Sequence, residues 1–134
     1  MSGFLYRVLA DALVVFHLSF IVFTTAGVLL AFRSRRLVWF HLPCVAWGVL
    51  VELTGWICPL TPIENALRSK AGLAGFSGGF IDHYLIPVVY PPGLTRAIQI
   101  AAGVLVLVAN VVGYALLWRL GPRVRAKPPA RDVI

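Results

Sequence analysis

The sequence predicts an all-α membrane protein with three transmembrane helices, and three observations support that fold class. Of the 134 residues, 60% are hydrophobic and 13% are charged, whereas an ordinary soluble domain has roughly 25% charged residues. Three apolar stretches reach the ~20 residues that a helix needs to cross a bilayer core. The basic residues gather at the ends of these stretches, in a chain of net charge +7. We therefore expect the lipid bilayer, and not nucleic acid, as the partner of this charge.

The predicted helices cover about residues 8–32, 37–58 and 97–118 of a single membrane domain, residues 1–121. The first stretch does not resemble a signal peptide, because one Arg precedes it and no small-residue cleavage pattern follows it. It ends at the run Arg33-Ser34-Arg35-Arg36. A basic tail, residues 122–134, follows the third helix, and its prolines and charges predict disorder.

The distribution of basic residues predicts the orientation. Eight of the 12 Lys and Arg residues lie between the first two helices or after the third, and four lie on the other side. The positive-inside rule assigns the larger group to the cytoplasm. We therefore expect a multi-pass protein of the bacterial inner (cytoplasmic) membrane, with the N-terminus and the 59–94 connection outside and the C-terminus cytoplasmic.

The outer connection, residues 59–94, is predicted to form an ordered cap. Thr61 and Glu64 have the spacing of a capping box, which predicts a short amphipathic helix up to about Gly72. With Ile63 and Leu67 as its apolar side, this helix suits the membrane surface. Residues 80–86 are too short to span, but they can re-enter the outer leaflet if protein buries their free backbone groups.

Each predicted helix carries small or polar residues on one face, at spacings of three or four residues. We expect these residues, with Thr24, to pack helix against helix, because small residues let backbones approach and polar side chains bond across. His41, beside Trp39 near the predicted cytoplasmic end, is expected to contact a lipid headgroup. The residues predicted at helix contacts are Gly48, Gly55, Gly103, Asn110 and Gly113.

Two ionisable residues fall in the predicted outer half of the membrane. From the helical rise, His17 lies roughly 13 Å and Glu52 roughly 9 Å below the outer surface, so the two side chains can meet. A carboxylate in hydrocarbon is costly and usually has a partner. Two interpretations of Glu52 remain open: a site that binds a proton, a ligand headgroup or a metal, and a structural contact that locks two helices.

Residues of the outer connection complete the candidate site for a ligand or cofactor. Cys58 can be a reactive thiol, an intermolecular bridge or a small apolar residue before a proline. The spacing of the set matches no metal-binding template, so no metal ligand is assigned, although His17, Glu52 and His83 are available. The whole candidate site consists of His17, Glu52, Cys58, Glu64, Asp82, His83 and Tyr84.

The sequence offers one pair of residues that could ligate a haem. The motif Cys-x-x-Cys-His is missing, which excludes covalent c-type haem on that motif. A b-type haem needs two axial donors on different segments. His17 with His83 is the one pair that qualifies, and only if residues 80–86 re-enter the membrane.

Several of these residues lie in runs that are typical of a known family. With these runs the chain resembles, from Leu9 to Trp118, the bacterial membrane proteins catalogued as domain of unknown function 2784. Asp82 departs from the pattern, where Glu is expected, but keeps the carboxylate. The resemblance implies an integral inner-membrane protein and no particular activity. The runs are Ala10-Asp11 with His17, residues 39–43, residues 52–62, Glu64, residues 78–84, and Tyr90-Pro91 before residues 93–96.

Two classes of function remain open. In the first, the protein is an accessory or scaffold subunit of a membrane complex, as a homo-oligomer or with other subunits, because three helices bury little on their own. In the second, an outer-leaflet site binds a redox cofactor, either b-type haem or a quinone, or a metal. We expect the first, and no enzymatic activity, since no activated nucleophile or phosphate-binding loop is visible. The residues of the second are His17, Glu52, Cys58 and His83.

Overall fold

The computed structural model describes residues 2–89 and 93–120, and within them every regular element is a helix. The predicted basic tail and Tyr90 lie outside the described residues. The three elements long and apolar enough to cross a membrane are Gly3–Ala26, Arg35–Thr54 and Arg96–Leu120, which confirms the all-α membrane fold class. The elements are α1 (Gly3–Ala26), α2 (Val28–Arg33), a 3-10 turn (Arg35–Leu37), α3 (Val38–Thr54), α4 (Leu60–Lys70), a π-helical turn (Ile81–Leu85), α5 (Ile86–Val89) and α6 (Arg96–Leu120).

The bundle has two chemically different ends. We call the end where α3 stops and α6 starts the cap end, because the segment between these helices lies there. We call the opposite end the basic end. Its described basic residues are Arg33, Arg35, Arg36 and Arg119.

The first predicted helix is interrupted at Gly27, which separates α1 from α2. The ring of His41 fills the space beside this glycine, and a Cβ atom at Gly27 would lie 2.5 Å from His41 Cδ2. His41 is completely buried. Its Nε2 lies 2.8 Å from the carbonyl oxygen of Phe23, and its Nδ1 lies 2.6 Å from the hydroxyl of Tyr114. The expectation that His41 contacts a headgroup is therefore wrong, because both ring nitrogens are bonded inside the bundle.

The second membrane helix ends earlier than residue 58, the end that the sequence predicts. Gly55 adopts the left-handed conformation (φ 76°), and the N–H groups of Gly55 and Trp56 both bond to the carbonyl of Val51. A left-handed glycine is a common way to close a helix. Gly55 therefore ends α3, and Cys58 lies beyond the helix.

Arg96, in the first turn of α6, binds the end of α3. Its guanidinium donates to the backbone carbonyls of Glu52, at 3.0 Å, and of Leu53. These are among the last carbonyls of α3, which have no partner within the helix. A Cβ atom at Gly55 would lie 2.8 Å from Arg96 Nη1, so a glycine here also admits the guanidinium.

The helix α4 packs against α1 and runs in the opposite direction. Its last residue, Lys70, lies with its ammonium 5.5 Å from the ring centroid of Tyr6, in the first turns of α1. The extensive contacts between the two helices show that α4 runs alongside α1. Thr61 and Glu64 are buried, whereas Ile63 is 51% exposed.

The predicted capping box does not form. The helix starts at Leu60, one residue before Thr61, and no side chain caps its first turn. Thr61 Oγ1 has no hydrogen-bond partner among the described residues. Glu64 instead accepts a hydrogen bond from Tyr84, which lies 20 residues further along the chain. The end of α4 agrees with the prediction more closely, because Gly72 is left-handed (φ 74°) two residues after Lys70.

Glycines set the close approach of α6 to the other membrane helices. A Cβ atom at Gly103 would lie 3.0 Å from the Cβ of Glu52, and one at Gly113 would lie 2.8 Å from Val28. Both distances are shorter than ordinary contacts between side-chain carbons, so a side chain at either position would push the neighbouring helix or side chain away. Small residues at such contacts are typical of helix packing in membranes.

Thr24 is the meeting point of α1, α3 and α6. A Cβ atom at Gly48 would lie 3.6 Å from the methyl group of Thr24, which is ordinary van der Waals contact. The side-chain amide of Asn110 donates to the carbonyls of Thr24 and Val106, both at 2.9 Å. Asn110 is buried and so connects α1 to α6 through one polar group.

Candidate functional site

A cavity of about 330 Å³ opens at the cap end, between α1 and α3. The segment Gly78–Asp82, which precedes and begins the π-helical turn, forms its roof. Four of the seven residues predicted for the site line this cavity, and three do not. The four are His17, Glu52, Cys58 and Asp82.

His17 forms one wall of the cavity. The side chain is 4% exposed, and its ring centroid lies 4.1 Å from that of Phe80. Its Nδ1 atom is buried and has no hydrogen-bond partner among the described residues. A buried polar atom without a partner is costly, so a ligand or water that bonds to Nδ1 would stabilise this arrangement.

Glu52 forms the opposite wall, in the last turn of α3. Its Oε2 atom is also buried without a hydrogen-bond partner in the described part of the chain. Because α3 ends at Thr54, Glu52 lies only about 3 Å from the helix end by helical rise, and not the roughly 9 Å expected from an end at residue 58. The prediction that His17 and Glu52 lie at similar depths nevertheless agrees with the cavity, which both residues line.

Asp82 joins the roof of the cavity to the start of α6. Its Oδ1 accepts a hydrogen bond from the backbone N–H of Leu94 at 3.3 Å. Gly78 is left-handed (φ 86°), and a Cβ atom there would lie 2.7 Å from Asp82 Oδ2. The roof therefore requires glycine at 78 for its backbone conformation and for the close approach of this carboxylate.

Glu64 and Tyr84 form a separate cluster beside the cavity. The hydroxyl of Tyr84 donates to Glu64 Oε1 at 2.5 Å, and the guanidinium of Arg68 lies 3.9 Å from the same oxygen. Burial, together with the hydrogen bond to Glu64, raises the pKa of Tyr84 to about 12. Because Tyr84 keeps its proton, it serves Glu64 as a hydrogen-bond donor and fixes the π-helical turn to α4.

His83 does not line the cavity. Its ring is exposed and stacks on Phe76, with centroids 3.9 Å apart and planes 7° from parallel. The structure thus does not bring His83 and His17, the pair considered for b-type haem, into one cavity. Within residues 2–89 and 93–120, no three His, Cys, Asp or Glu side chains are grouped closely enough to hold a metal ion together.

Sequence reasoning missed the aromatic walls of the cavity. Trp47, Trp56 and Phe80 line it. The signal was present for the two tryptophans, because each is a direct neighbour of a small residue, Gly48 or Gly55, on the polar face of the second helix. No sequence pattern indicated Phe80, which reaches His17 from 63 residues further along the chain.

Comparison with known proteins identifies a family. A family model described as Protein of Unknown function (DUF2784) matches residues 7–115. No curated protein and no solved structure matches the chain. The matched range contains all seven predicted site residues and the complete lining of the cavity.

Proposed function

The chain belongs to the family described as Protein of Unknown function (DUF2784), and from its geometry we propose that it binds the headgroup of a quinone-like lipid in the cavity at the cap end. One observation carries the proposal. Two buried polar atoms, His17 Nδ1 and Glu52 Oε2, lack partners among the described residues and belong to two different helices that line one cavity.

The chemistry of a quinone headgroup fits these two atoms. A quinone has two oxygens on opposite sides of a ring, which accept hydrogen bonds as carbonyls and donate them as hydroxyls in the reduced form. An imidazole nitrogen can donate or accept according to its tautomer, and a carboxyl group can do either according to its protonation. His17 and Glu52 can therefore bond to such a headgroup in both of its states.

The shape and composition of the cavity favour the same class of ligand. Its volume, about 330 Å³, is at the lower end of ordinary small-molecule sites. Trp47, Trp56 and Phe80 offer flat apolar surfaces to an aromatic ring. Trp56 and Ile57 are more than half exposed beside the cavity, so an isoprenoid tail can extend over apolar surface into the bilayer.

Tryptophan fluorescence tests the proposal directly, because Trp47 and Trp56 line the cavity. The purified protein in detergent is titrated with a fully substituted benzoquinone that carries one isoprene unit. We expect saturable quenching. His17→Ala and Glu52→Ala should each raise Kd about tenfold, since each removes one hydrogen bond to the ligand.

Matched controls lie on the same two helices. Ser19 and Thr54 are exposed and bond only to the backbone of their own helix, so Ser19→Ala and Thr54→Ala should leave Kd within about twofold. Wild-type protein that shows no saturable quenching would contradict the proposal. A Soret band in the purified protein that His17→Ala removes would favour b-type haem instead.

A second candidate function is that of an accessory or scaffold subunit, supported by how little the membrane helices bury. In the most apolar 18-residue windows of the three spans, 17%, 22% and 17% of residues are buried. Such exposed helices suit a homo-oligomer or a larger membrane complex. The mass of the protein, measured in lipid nanodiscs, tests this function, and a monomer that copurifies with no other protein would argue against it.

We also propose that the protein lies in the bacterial inner membrane with its cap end outside. The support is the charge asymmetry of the sequence, in which eight of the 12 Lys and Arg residues lie between the first two membrane helices or after the third, and four lie on the side of the cap end. A reporter enzyme fused after Arg131 should show activity on the cytoplasmic side of the membrane and none outside. If the fused reporter is active outside, the orientation is wrong and the cavity faces the cytoplasm.

A further inference from the structure

A second, larger cavity lies at the basic end. It is an open groove of about 660 Å³ between α3 and α6. Its walls are mainly apolar, and among the described residues that line it Arg35 is the one that carries a charge. The lining includes Arg35, Trp39, Leu107, Val111 and Trp118.

The groove has the length of one half of a bilayer. Along α6 it extends from Leu107 to Trp118, which is roughly 16 Å by helical rise. The hydrocarbon core of a bilayer is ~30 Å thick. Trp39 and Trp118 are 80% and 89% exposed at the basic end, and exposed tryptophans are typical of the membrane interface. The groove therefore runs from the interface towards the midplane, as a lipid acyl chain does.

The charge at the mouth of the groove is strongly positive. Arg33, Arg36 and Arg119 lie at the same end as Arg35. The sequence has no acidic residue between positions 26 and 46 or between positions 110 and 120. An anionic ligand is therefore attracted to this end, and a second copy of the chain would bring one set of arginines against another. Charge complementarity selects a lipid over a second copy.

We propose that this groove binds an anionic phospholipid, with one acyl chain between α3 and α6 and the phosphate paired with Arg35. Arg35 begins the 3-10 turn that leads into α3, so its position is fixed relative to the groove. The apolar walls hold the chain, and the arginine selects the headgroup charge. This site is separate from the cap-end cavity, with which it shares no lining residue.

Native mass spectrometry of the full chain tests the proposal, with phosphatidylglycerol and phosphatidylcholine of identical acyl chains added in turn. We expect one phosphatidylglycerol bound at least about fivefold more tightly than phosphatidylcholine, as one arginine near a headgroup provides. Arg35→Gln should remove most of that preference. Val111→Trp, which fills the groove from an exposed position, should reduce the binding of both lipids.

Two matched variants separate the groove from general attraction. Arg36→Gln removes the same charge outside the lining, and Leu105→Trp adds the same bulk to an exposed position of α6 outside the groove. Leu105→Trp should leave lipid binding within about twofold. Arg36→Gln should reduce the preference for phosphatidylglycerol clearly less than Arg35→Gln does, because Arg36 acts only through the general charge of this end. Helical content by circular dichroism shows that each variant is folded.

The following outcomes would overturn the proposal. Equal binding of the two lipids by wild-type protein would show that Arg35 does not select an anionic headgroup. Equal losses in Arg35→Gln and Arg36→Gln would assign the preference to the general charge of this end. A wild-type dimer that Val111→Trp dissociates would identify a second copy as the occupant of the groove.

Discussion

The ring of His41 occupies the space that Gly27 leaves open, with Cδ2 of the ring 2.5 Å from where a Cβ atom of residue 27 would lie. The same ring bonds to Phe23 and to Tyr114. Because a carbonyl oxygen can only accept, Nε2 carries a proton and donates to Phe23. In a neutral ring Nδ1 then accepts from the hydroxyl of Tyr114. One buried histidine thus joins α1, α3 and α6.

Gly27→Ala should destabilise the bundle by about 1–3 kcal/mol, because the added methyl group would lie too close both to the backbone carbonyl of Phe23 and to the ring of His41. The free energy of unfolding in detergent measures this. Gly3→Ala is the control, since the nearest atom to a Cβ at Gly3 is 3.9 Å away. Equal stability of the two variants would show that the contact between Gly27 and His41 does not limit packing.

The hydrogen bond between His41 and Tyr114 should have a coupling energy of about 0.6 kcal/mol, the average for polar contacts between membrane helices. A double-mutant cycle with His41→Leu and Tyr114→Phe measures it from unfolding free energies. Thr25→Val is the control. The hydroxyl of Thr25 bonds to carbonyls of its own helix, so the effect of this substitution on stability should add to that of Tyr114→Phe without coupling. Strict additivity of the two substitutions would contradict the predicted coupling.

Arg96→Gln should destabilise the protein by about 1 kcal/mol, because the last carbonyls of α3 lose a charged donor at a solvent-accessible position. Arg96→Lys should retain part of the effect, since an ammonium can still reach one carbonyl. The control is Arg119→Gln at the basic end. If both glutamine variants unfold at the same denaturant concentration, the contact with α3 contributes nothing measurable.

Tyr84 should lose its proton at a higher pH than an ordinary tyrosine. The folded pKa is about 12, and the unfolded value is ~10. Below the unfolded value, the contribution of Tyr84 to stability is fully present. As pH rises through this window the unfolded state loses its proton first, so this contribution is lost.

The phenolate absorbance of wild-type protein minus that of Tyr84→Phe gives the titration of this one group. The expected midpoint is near 12. Glu64→Gln should lower the midpoint, because it removes the negative charge beside the hydroxyl and weakens the hydrogen bond. A difference titration with the midpoint of a free tyrosine would show that the contact between Tyr84 and Glu64 does not form in solution.

Much of the site can be predicted from helical periodicity. His17 and Glu52 lie on long helices, where a side chain's direction follows from its position in the repeat and its depth from the rise. Both line the cap-end cavity. The error in the depth of Glu52 arose at the end of α3, where Gly55 closes the helix before Pro59, and helix ends depend on local backbone conformation that hydropathy does not indicate.

Helical periodicity could not show which of two adjacent cap residues faces the cavity. Asp82 and His83 are neighbours, yet Asp82 faces the cavity and His83 stacks on Phe76 outside it. The backbone N–H of Leu94 holds the carboxylate of Asp82, and the ring of Phe76 holds the ring of His83. Both partners lie several residues away, in segments without a regular repeat, so no spacing in the sequence relates them.

The sequence by itself determined the membrane class, the three long helices and the two polar residues that share a cavity, because apolar length and helical period act locally along the chain. Only the tertiary structure decided which cap residues complete the cavity, that α4 runs along α1, and that His41 is buried between three helices. The physical reason is that each of these depends on a hydrogen bond or ring contact with a distant partner. Gly27 is one such case, since the ring of His41 from a different helix lies against it.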